Sequence, residues 1–270
     1  MKFGICNEMF KGWGFEKIVN YVAQLGYEGI EIAPFTLAES VEDISALERK
    51  NILSLAEKNN LEIIGLHWLL ASPKGLSLSS PDKKIREKTT GYLKDLINFC
   101  ADLGGKLMVF GSPKQRNILP SSTYKETYNY VRDGFLEIVP LAKEREITIA
   151  LEPLTKKETN FINTAEEAMK MIKEINHPHF RLHLDVKAMS DEEKSIPEII
   201  ELSKDYLSHF HANDPNLLGP GFGKVAYEPI RKVLEKIGYN GYLSVEVFDF
   251  SPGPEVIAKK SIEYLKRIFQ

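Results

Sequence analysis

An alternation of short apolar segments with longer amphipathic segments, repeated eight times, constrains this sequence more than any other feature. Apolar runs of about four to eight residues are typical of buried parallel strands, whereas apolar residues at a 3.6-residue period are typical of helices. Each strand-helix pair takes up about 34 residues, and eight such pairs match the length of a (β/α)8 barrel. The strand-like runs cover residues 2–6, 29–34, 61–68, 106–111, 147–153, 180–185, 207–214 and 242–248.

The segments between these runs predict helices. Several of them end at a glycine, as at Gly26, Gly104 and Gly238, which is typical of a left-handed helix C-terminus. The first strand-to-helix connection, CNEMFKGWGF, lacks the G-x-G-x-x-G pattern of a doubly wound open sheet. We therefore predict an α/β fold with one (β/α)8 TIM barrel domain over residues 1–270. The clearest predicted helices are 15–26, 85–104, 130–144, 165–175, 228–238 and 257–269.

The amino-acid composition indicates which kinds of molecule the protein can bind and in which compartment it lies. The net charge of −3 provides no positive field for nucleic acid or anionic lipid. No segment approaches the roughly 20 apolar residues of a membrane span, and the N-terminus lacks the apolar run of a signal peptide. Only Cys6 and Cys100 are present, which excludes a disulfide framework and fits a reducing compartment. We expect a cytoplasmic protein that acts on a small molecule, without nucleic acid or membrane partners.

Four side chains capable of binding metal stand at the ends of successive predicted strands: Glu152, Asp185, His211 and Glu246. Their separations of 33, 26 and 35 residues are each close to one strand-helix unit, so a barrel places them side by side on its C-terminal rim. Three converging carboxylates are costly unless a cation neutralises them. Three oxygen donors with one nitrogen suit Mn²⁺, Mg²⁺ or Co²⁺, and Zn²⁺ also accepts them. The pattern predicts a divalent-metal site.

Four segments of the sequence match motifs of a known family: LEPLTKKETN (151–160), HLDVKAM (183–189), HAND…GPGFG (211–223) and GYNGYLSVEVF (238–248). In these segments the chain resembles the sugar isomerase/epimerase superfamily of xylose isomerase-like barrels, and most closely its ketose 3-epimerases of the D-tagatose/D-psicose type. The resemblance implies one metal, usually Mn²⁺, held by the same four residues. It also implies that Glu152 and Glu246 take and return the C3 proton on opposite faces of the sugar through a cis-enediolate, and that Glu158 binds the substrate.

Two positions depart from that family pattern. Ala188 and Leu217 stand where the family has a substrate-contacting His and Arg, so the sugar, and whether it is phosphorylated, stays open. Within the same superfamily, an inosose-type dehydratase and a hydroxypyruvate or aldose–ketose isomerase are alternatives. An abasic-site endonuclease and a non-catalytic sugar-binding barrel are minor ones. The resemblance also implies a homodimer or homotetramer.

Residues in other loops are weaker candidates for substrate contact. His67 and Trp68 end the third predicted strand, and Trp13 follows the first, so each can line the mouth of a barrel. Lys114 and Arg116, after the fourth strand, are candidates for holding a phosphate. His183 and His209 share strand parity with Asp185 and His211, and we interpret both as hydrogen-bonded core histidines.

Overall fold

The computed structural model describes all 270 residues and contains eight parallel strands that close into a barrel. Each strand pairs with the next one along the chain, and the last pairs with the first. The predicted (β/α)8 barrel is therefore confirmed. The strands are β1 (Lys2–Cys6), β2 (Gly29–Ile32), β3 (Glu62–Leu66), β4 (Leu107–Phe110), β5 (Thr148–Leu151), β6 (Phe180–Asp185), β7 (Leu207–Ala212) and β8 (Tyr242–Val245).

Helices surround the barrel, and all six helices named from the sequence are present. The helix expected over 130–144 begins earlier, because Thr123 and Glu126 form a reciprocal capping box there. The helices are α1 (Phe15–Leu25), α2 (Ala46–Lys58), α3 (Lys83–Asp102), α4 (Pro113–Arg116), α5 (Tyr124–Glu144), α6 (Ala165–Ile175), α7 (Val186–Met189), α8 (Ile196–Leu202), α9 (Tyr227–Lys236) and α10 (Pro254–Phe269). None of the ten has the length and apolar character needed to cross a membrane.

The main hydrophobic core lies between the outer face of the barrel and the helices. The strands supply mostly Ile, Leu, Val and Phe, as expected for parallel strands buried on both faces. Near the C-terminal rim, the buried side chains inside the barrel are carboxylates and imidazoles rather than apolar groups. The core therefore forms a rigid support for a polar cluster at one end of the barrel.

Most strands are shorter than the apolar runs predicted from the sequence. As a result, several polar residues lie just after the end of a strand. Glu152 follows β5 directly, Glu246 follows β8 and His67 follows β3, whereas Asp185 and His211 still belong to β6 and β7. All five therefore occupy the C-terminal rim, where active sites of (β/α)8 barrels lie.

Candidate active site

The four residues predicted to bind metal converge at the mouth of the barrel. Asp185 and His211 are direct partners in the register of β6 and β7. Ligand atoms of Glu152, Asp185 and His211 lie within 4.8 Å of one another. Glu246 joins them through its Oε2 atom, 3.0 Å from His211 Nδ1. All four side chains are buried, so the structure brings together the set that the sequence indicated.

His183 is a further donor at this cluster. We interpreted it from the sequence as a hydrogen-bonded core histidine, but neither of its ring nitrogens has a hydrogen-bond partner. Its ring meets that of His211 edge-on, with centroids 4.1 Å apart, and a ring nitrogen lies in the same 4.8 Å group. His183 therefore lies against the site rather than below it.

His211 is oriented by a carboxylate that sequence reasoning missed. Glu31, in β2, is completely buried and lies 3.2 Å from His211 Nε2 and 2.7 Å from His209 Nε2. A metal-binding histidine commonly donates its other ring N–H to a carboxylate, which fixes the tautomer. With Nε2 donating to Glu31, the Nδ1 lone pair of His211 faces the cluster.

Asp185 is fixed by the start of α7 and by the HAND segment. Its Oδ1 accepts a hydrogen bond of 2.8 Å from the backbone N–H of Ala188, and its Oδ2 accepts one from Asn213 Nδ2. The side-chain oxygen of Asn213, Oδ1, accepts in turn from the backbone N–H of Lys187, at 2.8 Å. The carboxylate is thus held in one orientation before any ligand arrives.

Arg116 does not act as the sequence suggested. Its guanidinium is completely buried and donates to the backbone carbonyls of Glu152, at 2.6 Å, and Ile162, at 3.1 Å. Burial lowers the pKa of Arg116 to about 10. Because the guanidinium fork is already occupied, the expectation that it holds a phosphate is wrong. Arg116 instead anchors the segment that carries Glu152.

The carboxyl groups of the cluster differ in electrostatic character. Burial, reinforced by the charges of Glu246 and Asp185, raises the pKa of Glu152 well above its ordinary value. Burial also raises the pKa of Asp185. Burial opposes the ionisation of Glu246 as well, but the imidazoles of His211 and His67 outweigh it and hold the pKa of Glu246 well below its ordinary value. A divalent cation fits this donor set, because it would neutralise carboxylates that now destabilise one another.

His67 and Trp68 both contact Glu246. The indole N–H of Trp68 donates to Glu246 Oε1 at 2.8 Å, and His67 Nδ1 lies 3.3 Å from the same oxygen. Trp68 has a φ of 52°, a left-handed conformation that costs a bulky residue about 1–2 kcal/mol. Its ring stacks against Phe248, with centroids 6.3 Å apart. The strained backbone places the indole as one wall of the site.

A cavity of about 300 Å³ opens beside the cluster and extends to the loop after β4. Gly111 lies where a Cβ atom would overlap Glu152 Oε2, so a larger residue here would displace the Glu152 carboxylate. Lys114 is an exposed lining residue. The side chains that line the cavity include His67, Trp68, Glu152, Glu158, Glu246 and Phe248.

Trp13 does not reach this cavity. It lies by a separate pocket of about 220 Å³ near the end of β1. Its ring packs edge-on against Tyr21, at 5.4 Å between centroids, and the ammonium of Lys17 lies 3.5 Å from its centre. Trp13 thus lines a pocket beside the end of β1, and its contact with substrate stays a prediction.

Glu158 stands at the cavity wall with a cationic partner. One of its oxygens accepts from the hydroxyl of Thr155 at 2.9 Å, and the other accepts from Lys187 Nζ at 2.6 Å. The ammonium of Lys187 also lies 3.6 Å from the ring centre of Phe248. Ala188 is buried beside this lysine, whereas Leu217 is exposed on its loop. Lys187 is thus a buried cation near the site that sequence reasoning did not single out.

The barrel and its rim of carboxylates and imidazoles define a class, the (β/α)8 barrels with a polar cluster at the strand ends. A family model described as "Xylose isomerase-like TIM barrel" matches residues 19–268, and the chain belongs to that family.

Named relatives of the chain are sugar epimerases. A D-psicose 3-epimerase of Ruminiclostridium cellulolyticum is 28% identical over 87% of this chain and 78% of the relative. A probable ketose 3-epimerase of Synechocystis is 24% identical over 100% and 97%. A 3-dehydro-D-guloside 4-epimerase of Escherichia coli is 23% identical over 98% and 99%.

Solved structures agree with the fold. The D-psicose 3-epimerase of Clostridium cellulolyticum H10, crystallised with D-tagatose, superposes with a TM-score of 0.88 at 24% identity and covers 100% of both chains. The 3-keto-D-glucoside 4-epimerase of E. coli superposes with a TM-score of 0.85 at 19% identity, over 99% of each chain.

Proposed function

We propose that the protein is a divalent-metal-dependent ketose 3-epimerase. The observation that carries the proposal is the convergence of Glu152, Asp185, His211 and Glu246 at one end of a cavity, in a chain related to sugar epimerases. Abstraction of a proton α to a carbonyl needs a base near the C–H bond and positive charge near the oxygens that become negative. The glutamates of this site can act as the base, and a bound divalent cation would supply the positive charge.

The two glutamates are suited to opposite roles in the proton transfer. Glu246, whose Oε1 accepts from the indole N–H of Trp68, acts as the base that removes the C3 proton. Glu152, which ionises when the metal binds, takes up a proton from solvent in the sugar complex and delivers it to the other face of the planar cis-enediolate, which inverts C3. A divalent metal bound to the four residues would supply electrostatic stabilisation of the developing negative charge. In the reverse reaction the two roles exchange.

We propose Mn²⁺ as the resident metal, with Mg²⁺, Co²⁺ and Zn²⁺ as alternatives. Three carboxylates and one imidazole, without a thiolate, form a donor set that suits the harder divalent ions. The homodimer or homotetramer, the cytoplasmic localisation and the single domain expected from the sequence stay predictions.

We propose that Glu158 and Lys187 form the sugar-binding wall. Their ion pair is buried on the lysine side and reaches the cavity on the glutamate side, beside Phe248. A carboxylate fixed by a cation is a well-oriented acceptor for sugar hydroxyls. Lys187 also brings positive charge close to the position where the family pattern has a histidine and this chain has Ala188.

Replacing Lys187 with Met tests this wall. We expect KM for the ketose to rise about tenfold or more, because a charge-assisted hydrogen bond of this kind contributes about 1.5–3 kcal/mol. Steady-state kinetics would measure the change. Lys156→Met is the matched control, because Lys156 is exposed on the same loop as Glu158. An unchanged KM in Lys187→Met would contradict the assignment.

Proton NMR in D₂O tests the function itself. We expect the Mn²⁺-loaded protein to introduce deuterium at C3 of one among fructose, tagatose, psicose, sorbose and ribulose, and to form the C3 epimer. Exchange at C1 would instead indicate an aldose–ketose isomerase, and loss of water from inosose a dehydratase. Saturable sugar binding without any exchange would indicate a binding protein.

A further inference from the structure

A second group of buried donor side chains lies beside the proposed metal site. Cys6 ends β1, Glu8 follows two residues later, and His67 follows β3. One ligand atom from each lies within 4.8 Å of the other two, and the Glu8 Oε2 and His67 Nε2 atoms are 3.2 Å apart. All three residues are at most 3% exposed. A thiol, a carboxyl and an imidazole therefore meet in the interior, on strands that do not supply the first site.

Three polar atoms of this group lack hydrogen-bond partners. Neither carboxylate oxygen of Glu8 makes a hydrogen bond, and neither does His67 Nε2. A buried carboxylate without partners is expensive, and buried charges are normally paired or bound to metal. A protonated His67 faces one of the two Glu8 oxygens and leaves the other without a donor. The group is therefore incomplete as a purely protein network.

The second ring nitrogen of His67 points to metal binding. His67 Nδ1 lies 3.3 Å from Glu246 Oε1. A metal-binding histidine almost always gives its other N–H to a carboxylate or carbonyl. In that tautomer the Nε2 lone pair of His67 is directed at Glu8 and Cys6.

We propose that Cys6, Glu8 and His67 bind a second divalent cation of the Zn²⁺ type. Ligands about 2.0–2.3 Å from Zn²⁺ lie roughly 3–4 Å from one another, and the distance from Glu8 to His67 already fits. A thiolate with an imidazole favours Zn²⁺ or Co²⁺ over Mn²⁺ and Mg²⁺. Three protein ligands leave a fourth position for water.

Charge balance at this end of the barrel supports a second cation. Five buried carboxyl groups share the interior of the rim, whereas one divalent ion and the buried ammonium of Lys187 together compensate only three negative charges. Because His67 joins the two donor groups through Glu246, the second cation would also hold that side chain in place. The five carboxyl groups are those of Glu8, Glu31, Glu152, Asp185 and Glu246.

Cobalt titration of the metal-free protein tests the proposal without reference to any activity. The chain has two cysteines, and the first site contains none, so a thiolate-to-cobalt charge-transfer band reports on a metal bound by a cysteine and not on the first site. We expect two Co²⁺ per chain and such a band in the near ultraviolet. Cys6→Ser and His67→Asn should abolish the band and reduce the stoichiometry from two to one. Cys100→Ser is the matched control and should retain both, because the Cys100 thiol donates to the carbonyl of Leu107, away from the cluster.

A single Co²⁺ per wild-type chain, with no charge-transfer band, would overturn the proposal regardless of how the variants fold. Cys6 also lies 3.8 Å from His211 Nε2, within a group that includes Glu31. A band that survives Glu8→Gln and His67→Asn but disappears in Glu31→Gln would assign the thiolate to that group and equally contradict the proposal. Far-UV circular dichroism would confirm that each variant is folded.

Discussion

Replacing either Glu152 or Glu246 with Gln should lower the rate of epimerisation about a thousandfold, which corresponds to roughly 4 kcal/mol of transition-state stabilisation. General acid-base catalysis by one positioned group contributes about 10²–10⁴-fold, and the amide keeps the shape of the side chain but cannot carry a proton. Turnover measured with saturating Mn²⁺ would separate loss of the proton carrier from loss of the metal. Full turnover in both variants with metal bound would refute the two-base mechanism.

The two variants should also differ in which epimer they deprotonate. Each retains one base, so each should exchange the C3 proton of one epimer with D₂O while leaving the other epimer unlabelled. Glu62→Gln is the control, because Glu62 starts β3 at the opposite end of the barrel, is exposed and pairs with Lys2. Equal labelling of both epimers by both variants would mean that a single group serves both faces.

The barrel and its rim were predictable because they follow from repetition. Hydrophobic periodicity reports strands and helices directly, and eight units of one length leave few ways to close a sheet. The rule that parallel strands end on the same rim was enough to group four residues from their spacing in the sequence: Glu152, Asp185, His211 and Glu246. The helix α2 was missed because its pattern is weak, with Ala56 as its sole buried residue.

The residues that orient the site were not predictable, since their roles depend on contacts between distant segments. Arg116 has the sequence context of an exposed basic loop, but two backbone carbonyls left outside regular structure bring it into the interior. Glu31 sits in an apolar strand and shows its role only when β7 places two imidazoles beside it. Lys187 follows a metal-binding motif yet pairs with a carboxylate from another loop.

Binding of Mn²⁺ should stabilise the fold strongly. A ligand that binds only the native state at about a thousand times its Kd adds roughly 4 kcal/mol, which would appear as a rise in Tm. Asp185→Asn should abolish most of this gain, because it removes a donor held by two hydrogen bonds at the centre of the cluster. Glu158→Gln is the control and should retain the gain, since Glu158 lies on the cavity wall outside the donor set.

The size of this gain should increase with pH. In the metal-free protein the pKa values of Glu152 and Asp185 are raised, so the folded state holds protons that the unfolded state has released. For these two groups, the stability of the metal-free protein falls as pH rises from their ordinary pKa values to the raised ones. Metal binding requires the ionised forms and therefore releases those protons. The stabilisation of the fold by the metal thus grows over the pH range in which the metal-free protein loses stability. Calorimetry should therefore show the Mn²⁺-induced rise in Tm to be larger at pH 8 than at pH 5, and equal rises would mean that these carboxyl groups are not the ligands.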